Sequence, residues 1–374
     1  MSKLVSALGL MSGTSLDGID VALVKTDGED EVHRGPARTY AYEPDQRAML
    51  REAIAEAAPL TDRRARPGSL AAIEWSLSEW HARAVQSFCE DMGITANEID
   101  VIGFHGQTVI HRPEIGLTVQ LGDGALLARR TGRPVVHDMR AADVAAGGEG
   151  APLVPVYHKA LAAKLAERPV AFVNIGGVAN MTWIGSGGDI AAFDTGPGNA
   201  LINDWCERHL GEPFDRDGAL AARGVLDAKA FMTLALHPYF ERPIPKSLDR
   251  NAFDISCLDG LSPADGAATL VHFTATSIAR AAGRFAERPK LYVICGGGRR
   301  NPSLMKEIRG LFEPLGERVM SAEEAGFDGD AMEAEAWAYL AVRSLRGLPL
   351  TFPMTTGVRG AMTGGVLVRP DASA

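Results

Sequence analysis

The sequence predicts an α/β protein built from two copies of one unit around a cleft. Three observations carry that prediction. Strand-like apolar runs alternate with helical ones, as in α/β folds. The opening theme of strand, glycine-bracketed polar turn and strand, LGLMSGTSLDGIDVALVKTD at residues 8–27, returns as VAFVNIGGVANMTWIGSGGDIAAF at residues 170–193. Later in each half an apolar strand breaks into a glycine loop, DVIGFHGQ at 100–107 and LYVICGGG at 291–298. A repeated order of elements without repeated side chains points to duplication. Strand ends that open into glycine loops are where α/β proteins bind ligands.

Along the chain, residues 8–11 and 19–24 form the first two strands. The clearest helix covers residues 69–92, where Leu70, Ile73, Leu77, Trp80, Ala84 and Phe88 recur at helical spacing. Pro67-Gly68 precedes it, Gly93 ends it, and Trp75 and Trp80 are read as packing residues. In the second half a strand ends at Phe193, with Asp194 exposed at its tip. The turn Gly196-Pro197-Gly198 leads to a helix starting near Asn199, and another helix starts near Pro302. The domains are expected at residues 1–140 and 141–354, with 355–374 packing back on the first.

The net charge of −9 argues against a general nucleic-acid surface. Cys89, Cys206, Cys257 and Cys295 are scattered without a CxxC pair, which suits a reducing compartment. No leader-like segment opens the sequence, and no apolar stretch approaches the roughly 18 residues that span a bilayer. A cytoplasmic protein without membrane or nucleic-acid partners is expected.

The opening loop holds Ser12, Gly13, Thr14, Ser15, Asp17 and Gly18, more polar groups than a hairpin turn needs. No lysine follows the glycines, so it is not a Walker A motif. Backbone N–H groups freed by Gly13 and Gly18, with the Thr14 and Ser15 hydroxyls, make an anion-sized pocket; Gly13 is expected at positive φ. The alternative is a decorated β-hairpin. In FDTGPGN, Asp194 suits a general base facing phosphates, or a turn cap. In CGGGRRN, Gly296 to Gly298 make a flat shelf for adenosine and Asn301 could bond its edge, although ordinary strand-to-helix turns also use glycine. His105, Gln107, Asp138, Arg140 and Asp143 are clustered donors and acceptors suited to a polyhydroxylated ligand. His105 and His111 would not converge on one strand face, which disfavours a metal site. Arg63-Arg64-Ala65-Arg66 reads as a solvated loop, Asp123 as a turn residue. Asp215-Arg-Asp-Gly218 lacks the remaining ligands of a calcium loop.

Taken together, LMSGTSLDGID, GFHGQTVIHRP, AAGGEGAPLVP, NIGGVAN, FDTGPGN, CGGGRRN and DAMEAEAWAYLA resemble, in this order, the anhydro-N-acetylmuramic acid kinases. The resemblance runs from Gly9 to about Val366. It implies the sugar kinase, actin and heat-shock chaperone ATPase superfamily, hence two duplicated actin-like (ribonuclease H-like) domains around an ATP cleft. It also implies ATP- and Mg²⁺-dependent opening of 1,6-anhydro-N-acetylmuramic acid with phosphorylation of O6, in cell-wall recycling, by a homodimer.

By position, Gly13, Thr14, Ser15, Leu16, Asp17, Gly18, Ile19 and Asp20 match the family's ATP-phosphate segment, and Asp194 its catalytic base. Gly296, Gly297 and Gly298 match the adenosine-side loop, and Gly176, Gly177 and Asn301 join the nucleotide set. His105, Gln107 and Glu333 match polar positions around the cleft, and Asp138 joins them on the sugar side. No set of protein metal ligands is expected, so Asp17, Asp20 or Asp194 would position Mg²⁺ through water. Two departures stand out: Glu149 replaces a common Gln, and the first strand, Gly9-Leu10-Met11, lacks the acidic residue usual in the wider superfamily. The alternatives are a kinase for another anhydro sugar such as levoglucosan, and a non-catalytic sugar sensor, against which Asp194 argues.

Overall fold

A computed structural model describes residues 3–13 and 15–370; Thr14, expected in the phosphate loop, lies outside the described residues. The chain forms two compact units. One comprises residues up to Ala163 together with the chain from Ala331 onward, and the other is Lys164–Asp330.

The first unit contains β1 (Val5–Ser12), β2 (Gly18–Thr26), β3 (Val32–Ala41), β4 (Val101–Arg112), β5 (Leu117–Leu121) and β6 (Val135–His137). The second contains β7 (Val170–Ile175), β8 (Val178–Ile184), β9 (Ile190–Pro197), β10 (Leu291–Cys295) and β11 (Arg318–Ser321), and β12 (Val366–Val368) belongs to the first. The first sheet runs β12-β6-β4-β1-β2-β3 with β5 on β4, and the second runs β11-β10-β7-β8-β9. In both, a central strand pairs antiparallel with the next strand of a meander and parallel with a later one, which in turn pairs parallel with a third. β1, β2, β3, β4 and β6 therefore correspond to β7, β8, β9, β10 and β11. The duplication inferred from the glycine loops is a duplication of topology, the actin-like α/β fold.

The domain boundaries differ from those expected at residues 140 and 354. The helix Met332–Leu345 lies on the first sheet because two glycines let it approach β1 and β4 at backbone distance. A Cβ at Gly9 would stand 1.8 Å from the Ala334 carbonyl oxygen, and one at Gly103 2.1 Å from that of Trp337. Further along the helix the Tyr339 hydroxyl donates to Glu29 O (2.8 Å) and Arg343 to Gly28 O (2.7 Å). The helix Pro155–Ala162 joins the same unit, where Tyr157 donates to the Glu335 carboxylate at 2.6 Å. Residues 366–368 return to the first sheet by pairing with β6.

The long helix is Leu70–Met92, ended by Gly93 at φ 65°. Leu70, Ile73, Leu77, Ala84 and Phe88 are buried in the first core, each large side chain contributing about 1.5–3 kcal/mol. Trp75 departs from the packing role read for it: it sits off the stripe and is 52% exposed. Asp123 is more than a turn residue, since its carboxylate caps the helix Gly124–Thr131 by accepting from Ala125 and Leu126 N–H. Among the described residues no helix is long and apolar enough to cross a membrane.

Candidate active site

In the first unit the opening loop bridges the β1–β2 hairpin. Its strained residue is Leu16, at φ 53°, whereas Gly13 has neither positive φ nor any crowding atom within 3.4 Å of where a Cβ would stand. The expectation for Gly13 is thus corrected. Gly18 is glycine because Tyr40 O would stand 2.5 Å from a Cβ there. Ser15 Oγ donates to Asp17 Oδ1 (2.8 Å), Tyr42 N–H to Asp17 O (3.0 Å), and Thr39 Oγ1 to Asp20 Oδ1 (2.5 Å). Ile19 is buried in β2.

Gln107 lies behind this loop. It is fully buried; its Oε1 accepts from Ser12 Oγ (2.6 Å) and its Nε2 donates to Gly13 O (3.3 Å). Because the Ser12 proton is committed to Gln107, the Tyr42 hydroxyl must donate to Ser12 Oγ across their 2.7 Å contact. The direct sugar contact expected of Gln107 becomes a positioning role for the loop. His105, on the same strand, places Nδ1 3.1 Å from Ser12 O, so Nδ1 carries the proton. Arg140 donates toward His105 Nε2 at 3.3 Å. Burial, reinforced by Arg140, holds the imidazole well below its ordinary pKa, neutral and with its second nitrogen an acceptor.

The Arg140 guanidinium lies 5.3 Å from the Trp337 ring, whose centroid is 4.6 Å from that of His105. Glu333 is one helical turn before Trp337, so both share a face. Burial pushes the Glu333 carboxyl up; Arg140 opposes the shift, while Asp20 and Asp17 add to it. Burial lowers Arg140 to about 10 against the pull of Glu333 and Asp143. The first unit therefore gathers Asp17, Asp20, Glu333 and Arg140 into one electrostatic group. Asp143 serves structure instead, accepting from Gly150 N–H (2.7 Å) and the Thr351 and Thr356 hydroxyls. Asp138, at φ 56°, pairs with Arg63.

In the second unit β9 continues past Phe193 to Pro197, so Asp194 lies within the strand, half-buried. Its N–H donates to Lys246 O (2.9 Å), its carbonyl accepts from the Tyr239 hydroxyl (2.5 Å), and its Oδ2 accepts from Leu248 N–H (2.8 Å). Lys246 Nζ donates to Tyr239 O at 2.9 Å and lies 4.1 Å from the ring centroid, closing the cradle. Burial, with Arg284, Arg242 and Arg280 nearby, lowers the Lys246 ammonium to about 8.

The glycine loops of this unit pack on one another. Asn199 N–H donates to Gly176 O (2.7 Å) and Gly198 N–H to Gly177 O (2.9 Å), and a Cβ at Gly198 would stand 2.3 Å from Gly176 O. Gly296 has φ 70° and leaves 2.3 Å between a Cβ and Asn174 Oδ1, while Gly298 abuts Ile175. Gly297 faces open space, with only Asn199 Nδ2 at 3.9 Å. Arg299 braces the loop by donating to Gly296 O, Glu323 and Asp330, each at 2.9 Å. The edge contact expected of Asn301 is corrected: its Oδ1 caps the helix Pro302–Phe312 by accepting from Leu304 N–H, and the residue is buried.

Among the described residues no three His, Cys, Asp or Glu side chains converge as a preformed metal site. Mg²⁺ needs none, since one or two carboxylates with phosphate and water suffice, and Asp17 and Asp20 offer that donor set. Trp337, Lys246 and Arg299 are the site components not assigned from the sequence, whereas Arg140 is already among the clustered donors read there. Only Trp337 carried a periodicity signal, its spacing of four from Glu333.

The sequence model of the family described as anhydro-N-acetylmuramic acid kinase matches residues 5–370. The relative of that name from Agrobacterium fabrum is 54% identical over 372 residues, covering 99% of this chain and 100% of its own. Those from Rhizobium johnstonii and Brucella canis are 53% and 52% identical, with the same coverage. Read with the duplicated fold and the cradled Asp194, the match over nearly the whole length makes this chain a member of the anhydro-N-acetylmuramic acid kinase family.

Proposed function

We propose that the chain is an ATP-dependent kinase for 1,6-anhydro-N-acetylmuramic acid, yielding N-acetylmuramic acid 6-phosphate and ADP in cell-wall recycling. The observation that carries this reading is family membership over nearly the full chain. It is supported by a carboxylate, Asp194, fixed by a backbone donor beside glycine loops. The substrate has no free 6-hydroxyl, because O6 is tied to C1. Asp194 therefore takes a proton from water; the water oxygen bonds to C1, the C1–O6 bond breaks, and O6 takes the γ-phosphoryl group. One base serves both bond changes, so no glycosidase-type carboxylate pair is required.

In this reading residues 13–20 hold the ATP phosphates, with Asp17 and Asp20 the carboxylates available to Mg²⁺, which would supply charge neutralisation when bound. Gly176, Gly177 and Gly296 to Gly298 take the adenosine side. Arg140, His105 and Glu333 face the sugar, and Gln107 positions the loop. A homodimer in the cytoplasm completes the reading. The test is ATP consumption with anhydro-N-acetylmuramic acid, levoglucosan and ordinary hexoses side by side. Turnover should be confined to the first, and the product should form first as the α-anomer, because attack comes from the face opposite the bridge. Hexose turnover, or an initial β-anomer, would overturn the reading.

A further inference from the structure

The AAGGEGAPLVP motif at residues 145–155 is not used by the function proposed above. Its glycines wrap the chain around one carboxylate, that of Asp143, which is 1% exposed. A Cβ at Gly148 would stand 2.2 Å from Asp143 Oδ2, and Gly150, at φ 66°, turns its N–H onto the same oxygen at 2.7 Å. The other oxygen, Oδ1, accepts from the Thr356 hydroxyl at 2.8 Å and from the Thr351 hydroxyl. Both threonines are buried, and Glu149 N–H donates to Thr356 O at 2.7 Å, a further tie between the loop and that segment. A carboxylate so enclosed is stable only when its lone pairs are taken up, and three donors do that here.

Gly150 is held on both sides. Its N–H is on Asp143, and its carbonyl accepts from Arg140 Nη1 at 2.9 Å. The same guanidinium donates toward His105 Nε2 at 3.3 Å and lies against the Trp337 ring. Burial lowers Arg140, and the Asp143 charge, after that of Glu333, opposes the shift. A guanidinium carries its donors in one rigid plane, so a displaced Gly150 carbonyl would turn all of them together.

Resting on the reading that Arg140 faces the sugar, we infer that Asp143 is a positioning residue for the sugar side, set by the hydroxyls of Thr351 and Thr356. The bonds run from the two hydroxyls to the carboxylate, and through Gly150 to the guanidinium. A segment some two hundred positions away in the chain thereby fixes the direction in which Arg140 donates.

The test is a double-mutant cycle between Thr356→Val and Arg140→Gln. It is read by calorimetric binding of 1,6-anhydro-N-acetylmuramic acid and, separately, of ADP to the full chain, with a denaturation midpoint for each variant. Thr356→Val keeps the side-chain shape and removes one donor to Asp143, and Thr356→Ser restores that donor. Thr351→Val, which removes the other hydroxyl, is the second variant and should behave alike. A hydrogen bond to a charged group corresponds to roughly 10–100-fold, so a loss relayed through Gly150 should weaken the sugar about three- to tenfold. ADP affinity should be unchanged, and Thr356→Ser should recover sugar affinity. Arg140→Gln alone should weaken the sugar at least about tenfold. In that background Thr356→Val should add less than about twofold, because groups acting through one another are not additive. A lowered midpoint with unchanged sugar affinity, or losses that multiply in the double variant, would overturn the positioning role and leave Arg140 on the sugar side. Unchanged sugar affinity in Arg140→Gln would instead overturn the sugar-facing reading, and the positioning role with it.

Discussion

The backbone N–H of Leu248 donates a 2.8 Å hydrogen bond to Oδ2 of Asp194. The same short segment takes the Asp194 N–H on the Lys246 carbonyl, and Tyr239 donates to the Asp194 carbonyl. Both peptide groups and the carboxylate of one residue are thus held by a stretch some fifty positions away in the chain. A carboxylate fixed in this way, if it is the base proposed above, needs little reorganisation when substrate arrives.

Tyr239→Phe tests that cradle. The ring and its contact with the Lys246 ammonium stay, and only the donor to Asp194 O is lost. One hydrogen bond is worth about 1 kcal/mol, so kcat should fall about fivefold with KM for ATP unchanged. Asp194→Asn, which removes the proposed base itself, should cost about 10²–10⁴ in kcat. Equal kcat for Tyr239→Phe and wild type would show that the phenol does not position the base.

Two glycines separate packing from ligand approach. At Gly103 an added Cβ meets backbone, the Trp337 carbonyl at 2.1 Å, and neither element can yield without moving the sheet or the helix Met332–Leu345. Gly103→Ala should therefore destabilise by about 3 kcal/mol, the upper end of the usual cost of overpacking, visible as a lower denaturation midpoint. Gly13→Ala, with no atom nearer than 3.5 Å and no positive φ, should leave that midpoint within about 0.5 kcal/mol of wild type. If its backbone faces phosphate, ATP affinity should nevertheless fall.

Gln107→Leu probes the loop from behind. It keeps the volume but removes the acceptor of the Ser12 hydroxyl and one of the two donors to Gly13 O, leaving Ser12 Oγ with Tyr42 and Gly13 O with Leu16 N–H. Stability should drop by about 1–3 kcal/mol. KM for ATP should rise while sugar affinity in the absence of nucleotide changes little. A selective loss of sugar affinity would instead restore the direct sugar contact.

The strands and the long helix were legible because their signals are local: alternation, helical spacing, and glycine or proline at the ends. The duplication was legible because glycine loops recur in order. What the sequence left open depends on non-local contact. Nothing near residue 332 says that its helix belongs with Gly9 and Gly103, more than two hundred positions away, and the boundaries moved for that reason. Asn301 looked like a ligand because a cap and a ligand use the same amide, and only the Leu304 N–H distinguishes them. Arg63 looked solvated because its partner, Asp138, lies seventy-five residues on.

His81 makes the last prediction, on acid stability. The residue is fully buried on the Leu70–Met92 helix, against Phe104 at 4.8 Å between ring centroids. Its Nδ1 meets Leu77 O at 2.8 Å, so the proton sits there, and Nε2 is buried without a partner. Burial lowers its pKa from 6.5 to about 4. The sign follows: below pH 6.5 the unfolded chain takes up a proton that the folded chain refuses until about pH 4. The contribution is therefore complete above pH 6.5 and is lost as pH falls through that window, at about 1.4 kcal/mol per pH unit. The whole loss is on the order of 3 kcal/mol. His158, lowered by burial to about 3, acts in the same direction. His81→Leu removes one titrating group and the unpartnered nitrogen while keeping an apolar side chain in the core. Denaturant unfolding at pH 7, 5.5 and 4.5 should show an acid limb shallower by about one proton than that of the wild type. Parallel limbs for the two proteins would mean that His81 is protonated in the folded state, contrary to its enclosure.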